Sequence, residues 1–203
     1  MCFSDHINEK INKAYSMLGI IKRNFKFMTP TALTLIYKSM VRSHLEYASS
    51  VWCPHKKVDI KNLEKVQMRA TKMISILKDK SYSDRLRYLK LPSLKYRRAR
   101  GDMIEVYKII SGKYDNDTTV QFNIIKSDRT RGNSYRLFQG QVKYDLRKFC
   151  FSNRIISAWN SLPEIVVTAE TTNAFKNRLD RFWINQDIVY DWKAELAGIG
   201  SRS

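Results

Sequence analysis

Four basic side chains in the first half of the chain have types and spacing that suit phosphate binding. They are Lys61, Lys65, Arg69 and Lys72. At about 100° per residue, a helix places them within roughly 80° of one another, opposite an apolar stripe. Cations aligned on one helix face are the arrangement that contacts a sugar–phosphate backbone. The alternative interpretation is a solvated face, since Lys and Arg are good helix formers.

Two further basic groups could bind phosphates. Between residues 84 and 100 the basic residues face a single acid, Asp84. Such a density of positive charge repels itself unless an anion neutralises it. We therefore expect Arg97, Arg98 and Arg100 to form a second binding group, with structured RNA as a candidate ligand. A third, weaker candidate group is Lys22, Arg23 and Lys26 at the end of the first predicted helix.

The tripeptide Arg100-Gly101-Asp102 also matches an adhesion motif. Adhesion tripeptides are presented on exposed loops of extracellular proteins, whereas this one lies inside a helical pattern. We interpret the match as coincidence. Gly101 costs about 1 kcal/mol relative to alanine in a helix interior, and a close contact with another helix would explain its presence.

Motifs for catalysis are missing. The sequence contains no GxSxG, GxxxxGK or HExxH pattern. Asp115 and Asp117 could hold magnesium, but such acids in a polar loop are usually turn formers. Two-metal nucleotidyl transfer needs clustered carboxylates, and no aromatic-x-Asp-Asp motif occurs. We expect no autonomous enzyme, no catalytic residue, no cofactor and no small-molecule substrate.

Cysteines and histidines are too few and too scattered for a metal centre. They are Cys2, Cys53 and Cys150, with His6, His44 and His55. An odd number of distant cysteines argues against a disulfide framework. Structural zinc needs four ligands, usually in close pairs, and only Cys53 and His55 are neighbours. We expect no metal site.

The overall charge is strongly positive. Thirty-seven Lys and Arg against nineteen Asp and Glu give a net charge of +18 and a pI near 9.9. Such a surface attracts polyanions, nucleic acid first and an anionic membrane second. No stretch approaches the ~20 apolar residues of a membrane span, and no signal-peptide core is evident. We expect an intracellular protein without a membrane partner, with nucleus and cytoplasm not distinguished.

The elements that position these residues are mainly helical. Five helices are expected within residues 1–115, with starts marked by Asp5, Thr29 before Pro30, Asp59, Ser81 and Ser93. The first is expected to span residues 5–25. The others are expected to run from Thr29 to about Trp52, from Asp59 to about Leu77, from Ser81 to about Leu89, and from Ser93 to Gly112. The apolar stripes include Phe25 in the first helix and Met40 in the second. Short breaks between the helices predict a helical bundle over residues 1–115.

Composition changes after Tyr114, and residues 116–196 are predicted to form a small α+β region. Short strands are expected at residues 120–125 and 135–138, separated by a turn at 130–133. A helix is expected at residues 149–162, and a last helix begins at Thr171 or Thr172. Residues 197–203 are expected to form a flexible tail.

Several long segments resemble one family of polymerases. IYKSMVRSHLEYASSVWCP, residues 36–54, resembles a signature of reverse transcriptases encoded by non-LTR (LINE-type, jockey-like) retrotransposons. LEKVQMRATKMI and YLKLPSLKYRRARGDMIEVYKI, residues 63–74 and 88–109, are similar to its next two blocks. FSNRIISAWNSLP and TTNAFKNRLDRFW, residues 151–163 and 171–183, are similar to its closing blocks. The resemblance covers the chain from residue 3 to about 192.

This resemblance implies that residues 5–80 correspond to the polymerase thumb, a helical bundle that holds the template–primer duplex. Met1 comes after the place where fingers and palm would lie, so the catalytic aspartates are expected to be outside this sequence. The resemblance therefore implies a non-catalytic C-terminal fragment of an RNA-directed DNA polymerase. Its expected partner is RNA or an RNA–DNA duplex, bound with weak sequence preference. The oligomeric state is not indicated.

Three alternative functions remain open. One is a scaffold whose basic surfaces meet an acidic protein, with tryptophans as anchors. Another is a helix-turn-helix DNA-binding protein built from the second and third helices, although the third helix offers mainly lysines for base contacts. An active polymerase would need catalytic carboxylates from another chain.

Overall fold

The computed structural model describes residues 3–115, 117, 119–125 and 133–198. These residues form two compact units. The first contains residues 3–98 and 187–194, and the second contains the described residues of 99–186 and 195–198. The division falls inside a helix, at Arg98, whereas composition placed it after residue 115.

The first unit is helical. Three of its helix starts and two of its apolar stripes follow the predicted pattern. Its helices are α1 (Ser4–Asn24), α2 (Pro30–Ile36), α3 (Arg42–Glu46), α4 (Ser49–Trp52), α5 (Lys57–Thr71) and α6 (Tyr82–Leu89), followed by the first turn of α7 (Leu94–Ile110). A π-helical turn, Tyr37–Val41, joins α2 to α3, and 3₁₀ turns occupy Ser75–Leu77 and Asp187–Val189.

Helix α1 forms where the apolar spacing predicted it. Its buried stripe is Ile7, Ile11, Ala14, Leu18 and Ile21. Phe25 was expected to continue this stripe, but α1 ends at Asn24 and the extended backbone at Phe25 leaves its side chain 46% exposed. Asp5 does not cap the helix: it lies in the first turn, where its charge favourably meets the helix dipole.

The predicted second helix is interrupted twice. It begins as expected, because the Thr29 hydroxyl accepts a hydrogen bond from the Ala32 amide at 3.2 Å. The π-helical turn then inserts an extra residue and shifts the apolar phase, so Met40 is exposed instead of buried. A second break follows α3, where Ala48 adopts a left-handed φ of 52°. The Trp52 indole donates to the Tyr47 carbonyl across this break at 2.8 Å.

Helix α5 keeps its predicted stripe but not its predicted ends. Asp59 is not the cap: it lies in the first turn and accepts a hydrogen bond from the Ser4 hydroxyl at 3.2 Å. The helix stops at Thr71, so Leu77 reaches the core through the 3₁₀ turn that follows. The 3₁₀ turn thus places Leu77 in the same hydrophobic core as the apolar stripe of α5.

The starts of α6 and α7 were predicted correctly. Ser81 accepts from the Asp84 amide at 3.2 Å, and Ser93 accepts from the Tyr96 amide at 3.1 Å. Gly112, with φ of 64°, follows the end of α7 in the left-handed conformation that glycine tolerates.

The second unit is also helical. Besides the rest of α7 it contains α8 (Asp145–Lys148), α9 (Phe151–Arg154), α10 (Ile156–Asn160), α11 (Glu164–Val167) and α12 (Thr172–Phe182). Its core includes Tyr107 stacked on Phe175, with ring centroids 4.4 Å apart, and the fully buried Trp159. Thr171 caps α12 by accepting from the Ala174 amide at 3.1 Å.

The predicted strands reduce to one antiparallel bridge, between Ile124 and Leu137, within the described residues. Two backbone hydrogen bonds of 2.8 Å flank it. The predicted turn at 130–133 lies outside the described residues except for Asn133, whose side-chain amide donates to the Trp159 and Leu162 carbonyls. The mainly α prediction is thus confirmed, whereas the short-strand region is not shown.

Two other predictions for this region also changed. The helix expected at 149–162 is divided into α9 and α10. In the expected tail, Ala197 is held by Gln186, whose side-chain oxygen accepts from the Ala197 amide at 2.8 Å; residues 199–203 lie outside the described part. Among the helices that the structure describes, none has the length and apolar character needed to cross a bilayer.

Candidate nucleic-acid interface

The four predicted cations of α5 all have exposed side chains. Lys61, Lys65 and Arg69 lie on the helix, and Lys72 directly follows it. In the described part of the chain, none of the four forms an ion pair. Lys65 donates to the Asn62 side chain at 3.3 Å, and the Arg69 guanidinium lies 5.5 Å from the centre of the Tyr15 ring. This face therefore keeps its positive charge.

An open groove forms where the second half of α1 faces the end of α5. Four cations line it: Lys22, Arg69, Lys72 and Lys78. Tyr15, Leu18, Gly19, Met73 and Ser75 line the remainder, and the groove has a volume of about 360 Å³. No carboxylate is among these lining residues. The groove is therefore a concave surface of uniformly positive charge.

A second hollow adjoins the first and shares Lys22, Met73 and Ser75 with it. Lys26 lines this second hollow together with Phe25 and Phe27. The structure thus joins part of the α5 group and part of the α1 group into one surface. We call this surface the basic groove and define its cations as Lys22, Lys26, Arg69, Lys72 and Lys78.

Three residues of the predicted α1 and α5 groups lie outside the basic groove. Arg23 is exposed but lines neither hollow. Lys61 and Lys65 lie nearer the start of α5, and Lys61 is about 16 Å along the helix axis from Lys72 at 1.5 Å per residue. They extend the positive charge of the groove along α5.

Sequence reasoning missed Lys78 as a groove residue. Lys78 does not belong to the helical stripe of α5, because α5 ends at Thr71. The 3₁₀ turn at Ser75–Leu77 carries it back to the groove. Helical periodicity could not signal this, since the turn interrupts the period.

The arginine cluster at the start of α7 has a different environment. Arg97 donates from Nη2 to Glu46 at 2.8 Å, and its Nε donates to the other oxygen of the same carboxylate. The Arg42 guanidinium lies 3.5 Å from Glu46 as well. Arg97 is therefore paired within the first unit instead of facing solvent as an open phosphate ligand.

Arg98 is buried, with 4% of its surface exposed. Its Nη1 and Nη2 atoms have no hydrogen-bond partner among the described residues. Its positive charge interacts electrostatically with Glu64, a fully buried residue on α5. A side chain in this position is inaccessible to a nucleic-acid strand.

Glu64 is the acceptor at the centre of this buried cluster. It accepts from the Tyr82 hydroxyl at 2.6 Å and from the Leu94 amide at 3.2 Å, so it satisfies a free amide at the start of α7. Burial raises the pKa of Glu64; the Tyr82 hydrogen bond, the Arg98 charge and the backbone amides oppose that rise. Burial likewise raises the pKa of Tyr82.

Both charged residues of the Arg-Gly-Asp tripeptide form ion pairs within the second unit. Arg100 donates hydrogen bonds to both carboxylate oxygens of Asp180, at 2.5 and 2.7 Å. Asp102 accepts two hydrogen bonds from the Arg154 guanidinium, at 3.0 and 3.1 Å. The close contact expected at Gly101 is absent: among the described residues, and leaving aside its chain neighbours and the adjacent backbone of α7 itself, no heavy atom lies within 4 Å of the position that a Cβ would take. The expectation of a helix contact there was wrong.

The three arginines therefore have structural roles. Arg97 and Arg100 form ion pairs with Glu46 and Asp180, which lie far from them in the sequence, and Arg98 is buried, where its charge lowers the pKa of Glu64. Sequence order could not pair them, because the carboxylates come from other helices. Of the three predicted groups, those of α1 and α5 contribute cations to the basic groove, and the α7 group does not.

Clustered metal ligands are not found in the described ranges. No group of three or more His, Cys, Asp or Glu side chains there is placed to hold a metal ion. The Asp115 carboxylate accepts a hydrogen bond from the Asp117 amide at 3.2 Å, as a turn-forming aspartate does. Comparison with protein-family models, with curated proteins and with solved structures found no match to this chain.

Proposed function

We propose that this chain binds the sugar–phosphate backbone of nucleic acid, RNA or an RNA–DNA duplex, through the basic groove. One observation carries the proposal: five cations line one continuous groove that no carboxylate lines. In the arginine cluster of α7, by contrast, Arg97 and Arg100 are paired with carboxylates and Arg98 is buried. An external polyanion can therefore contact five cations in the groove without meeting a lining carboxylate.

The chemistry of the groove supports binding with little sequence preference. Four of its five cations are lysines, which act as point charges toward phosphate and lack the planar fork of the arginine guanidinium. The one arginine, Arg69, lies over the Tyr15 ring. Phosphate contacts fix the position of a strand without specifying its bases.

The resemblance to non-LTR reverse transcriptases supports the same proposal. Two of the resembling segments, residues 36–54 and 63–74, lie in the first unit, and the second of them supplies Arg69, Lys72 and Met73 to the groove. In that family the thumb holds the template–primer duplex. We propose that this chain corresponds to the thumb and downstream region, and that it contributes binding and not bond formation.

The structure offers less support to the alternatives. A scaffold anchored on tryptophans needs accessible indoles, but Trp52, Trp159 and Trp183 are buried and only Trp192 of the four is partly exposed. A helix-turn-helix unit joins its two helices by a turn of about three or four residues, whereas residues 47–56, which include the single-turn α4, separate α3 from α5. No observation favours either function over backbone binding.

Salt-dependent binding of a labelled RNA–DNA duplex tests the proposal. If six phosphate contacts form, log affinity should fall with log salt concentration at a slope of about −5. Combining Lys22→Gln, Lys72→Gln and Lys78→Gln should make the slope shallower by about 3, because each lost phosphate contact removes about one unit. Fluorescence anisotropy across a salt series measures both quantities.

A matched control removes the same charge elsewhere. Lys38, Lys113 and Lys143 are exposed and line neither hollow, so their combined Gln substitutions should leave the slope close to that of the wild type. Equal effects of the two triple variants, or an affinity indifferent to salt, would refute groove binding. Primer extension with magnesium should show no product; robust extension would refute the non-catalytic part of the proposal.

A further inference from the structure

We infer that the basic groove ends in a stacking site for an unpaired base, so that the strand it holds is single-stranded at that point. The inference rests on the proposed function and specifies the ligand of the same groove. It is carried by the aromatic and apolar side chains of the second hollow.

The second hollow combines cations with exposed apolar groups. Phe27 is 98% exposed, Ile76 is 63% exposed and Phe25 is about half exposed, and all three line it with Lys22 and Lys26. A single exposed phenylalanine is ordinary on a protein surface. Three large apolar side chains gathered in one cationic hollow form a patch that indicates a binding site.

Hydrogen bonds fix the backbone on both sides of Phe27. Before it, the Phe25 amide donates to the Ile21 carbonyl at 3.0 Å, which closes the last turn of α1. After it, Thr29 caps α2 through the Ala32 amide. The intervening segment is short and its two ends are fixed, so the backbone that presents Phe27 is ordered before any ligand arrives, which lowers the entropy cost of binding.

An aromatic ring beside a line of cations is the arrangement that binds single-stranded nucleic acid. The cations follow the backbone, and a base with an exposed face stacks on the ring regardless of its identity. The two hollows share Lys22, so one strand could place phosphates against the cations and a neighbouring base on Phe27. A base inside a duplex has no free face to offer.

The positive charge of the groove favours nucleic acid over other partners that an apolar hollow could bind. A second copy of this chain would bring a net charge of +18 toward the same cations, which is repulsive. An anionic bilayer favours a broad apolar helix face bordered by cations, whereas these apolar groups line a hollow. A membrane contact is therefore an outcome that the experiment must separate.

The test compares a labelled oligouridylate with an abasic strand of equal length and charge. Phe27→Ala should weaken oligouridylate binding about 5- to 100-fold, since one stacked base is lost. It should leave binding of the abasic strand, the duplex affinity and the salt slope unchanged, because it removes no charge. Phe27→Tyr should retain the wild-type affinity, because a phenol ring still stacks.

Tyr144→Ala is the matched control, because Tyr144 is an exposed aromatic side chain of the second unit. It should not alter binding of either strand, and thermal unfolding should show both alanine variants folded. If Phe27→Ala behaves like this control while the groove lysine variant still weakens binding, the stacking site is refuted and the proposed function stands.

Two other outcomes are separable. If the groove lysine variant and its charge-matched control behave alike, the proposed function itself fails. If Phe27→Ala weakens binding to phosphatidylserine vesicles but leaves oligouridylate binding intact, the hollow is a membrane contact and the stacking inference is overturned.

Discussion

The basic groove and the arginine cluster of α7 are both rich in positive charge, but they differ in what surrounds that charge. Cations in the groove are exposed and no carboxylate lines it. Arg97 and Arg100, in contrast, each bind a carboxylate through two hydrogen bonds, and Arg98 is buried beside Glu64. Local charge density in a sequence therefore does not show whether the charge is available to a ligand. Accessibility depends on which other helices pack there.

The residue types fit this division. Arginine suits buried and partly buried ion pairs because its planar guanidinium binds both oxygens of one carboxylate and is more weakly hydrated than an ammonium group. Lysine keeps a strongly hydrated charge on a flexible stem and so suits a solvated groove. Lys22, Lys26, Lys72 and Lys78 account for most of the groove cations.

Removing the central carboxylate of the buried cluster should have the largest effect. Glu64→Ala leaves Arg98 buried without an opposite charge and removes the acceptor of Tyr82 and Leu94. We expect the free energy of unfolding to fall by about 3–5 kcal/mol. Urea unfolding followed by tryptophan fluorescence measures this change.

Glu170→Ala serves as the control, because Glu170 is exposed. Its effect should stay within about 0.5 kcal/mol. Equal stabilities of the Glu64 and Glu170 variants would mean that the buried cluster contributes no net stability.

Substituting the partly exposed arginines should have a smaller effect, and on stability instead of binding. Arg97→Gln breaks the two hydrogen bonds to Glu46, and we expect a loss of about 1–2 kcal/mol. Arg100→Gln should cost about 0.5–1 kcal/mol, because Asp180 is more exposed to solvent and its pairing is more strongly screened. Chemical denaturation provides both values.

The same variants test the division between binding and structural cations. Duplex affinity of each should fall no more than that of Lys113→Gln, which removes one exposed charge elsewhere. If either variant weakens duplex binding as much as Lys72→Gln while keeping full stability, that arginine contacts phosphate and the division is wrong.

A smaller effect, of opposite sign, is expected beside the arginine cluster. Gly101 lies in the interior of α7, and open space surrounds the position of an added Cβ. Gly101→Ala should therefore raise the free energy of unfolding by about 0.5–1 kcal/mol. Gly112→Ala is the contrasting variant: its positive φ strains any side chain, so it should lower stability. A rise in the thermal midpoint for Gly101→Ala alone checks this difference.

The pH dependence of Glu64 should be the smallest effect, because its partners partly offset burial. Since burial raises the folded pKa of Glu64 above its ordinary value of 4.5, the folded state retains the Glu64 proton at a pH where the unfolded state has lost it. The stabilisation that arises from this raised pKa is therefore fully present below pH 4.5 and is lost as the pH rises through the folded pKa. Glu64→Gln cannot titrate, so the stability difference between wild type and variant should shrink as the pH increases over this window. A constant difference would show that the pKa is not raised.

Local signals in the sequence predicted much of the first unit. Thr29, Ser81 and Ser93 were correctly assigned as helix caps because a hydroxyl cap acts within three residues. The α1 stripe from Ile7 to Ile21 was also correct, since burial follows the helical period. Asp5 and Asp59 were wrongly assigned as caps. Asp59 lies in the first turn and meets Ser4, a partner from another helix.

Other failures arose where tertiary packing overrides a local pattern. The π-helical turn at Tyr37–Val41 changes the phase of the apolar stripe, which a fixed period cannot represent. The strand pattern at residues 120–125 and 135–138 gives only the Ile124–Leu137 bridge in the described segments. Short strands need neighbouring strands or a packed face for stability, and local sequence does not show whether these are present.

For the candidate site, the sequence by itself determined which residues carry charge and which faces of α1 and α5 present it. Helical geometry suffices for that, because positions three and four apart share one side. Only the tertiary structure decided that Lys22, Arg69 and Lys78 line one groove. It also decided that Arg97 and Arg100 form ion pairs with carboxylates and that Arg98 is buried. These partners are separated in the chain by tens of residues, and their proximity depends on how helices pack around a core and not on any local period.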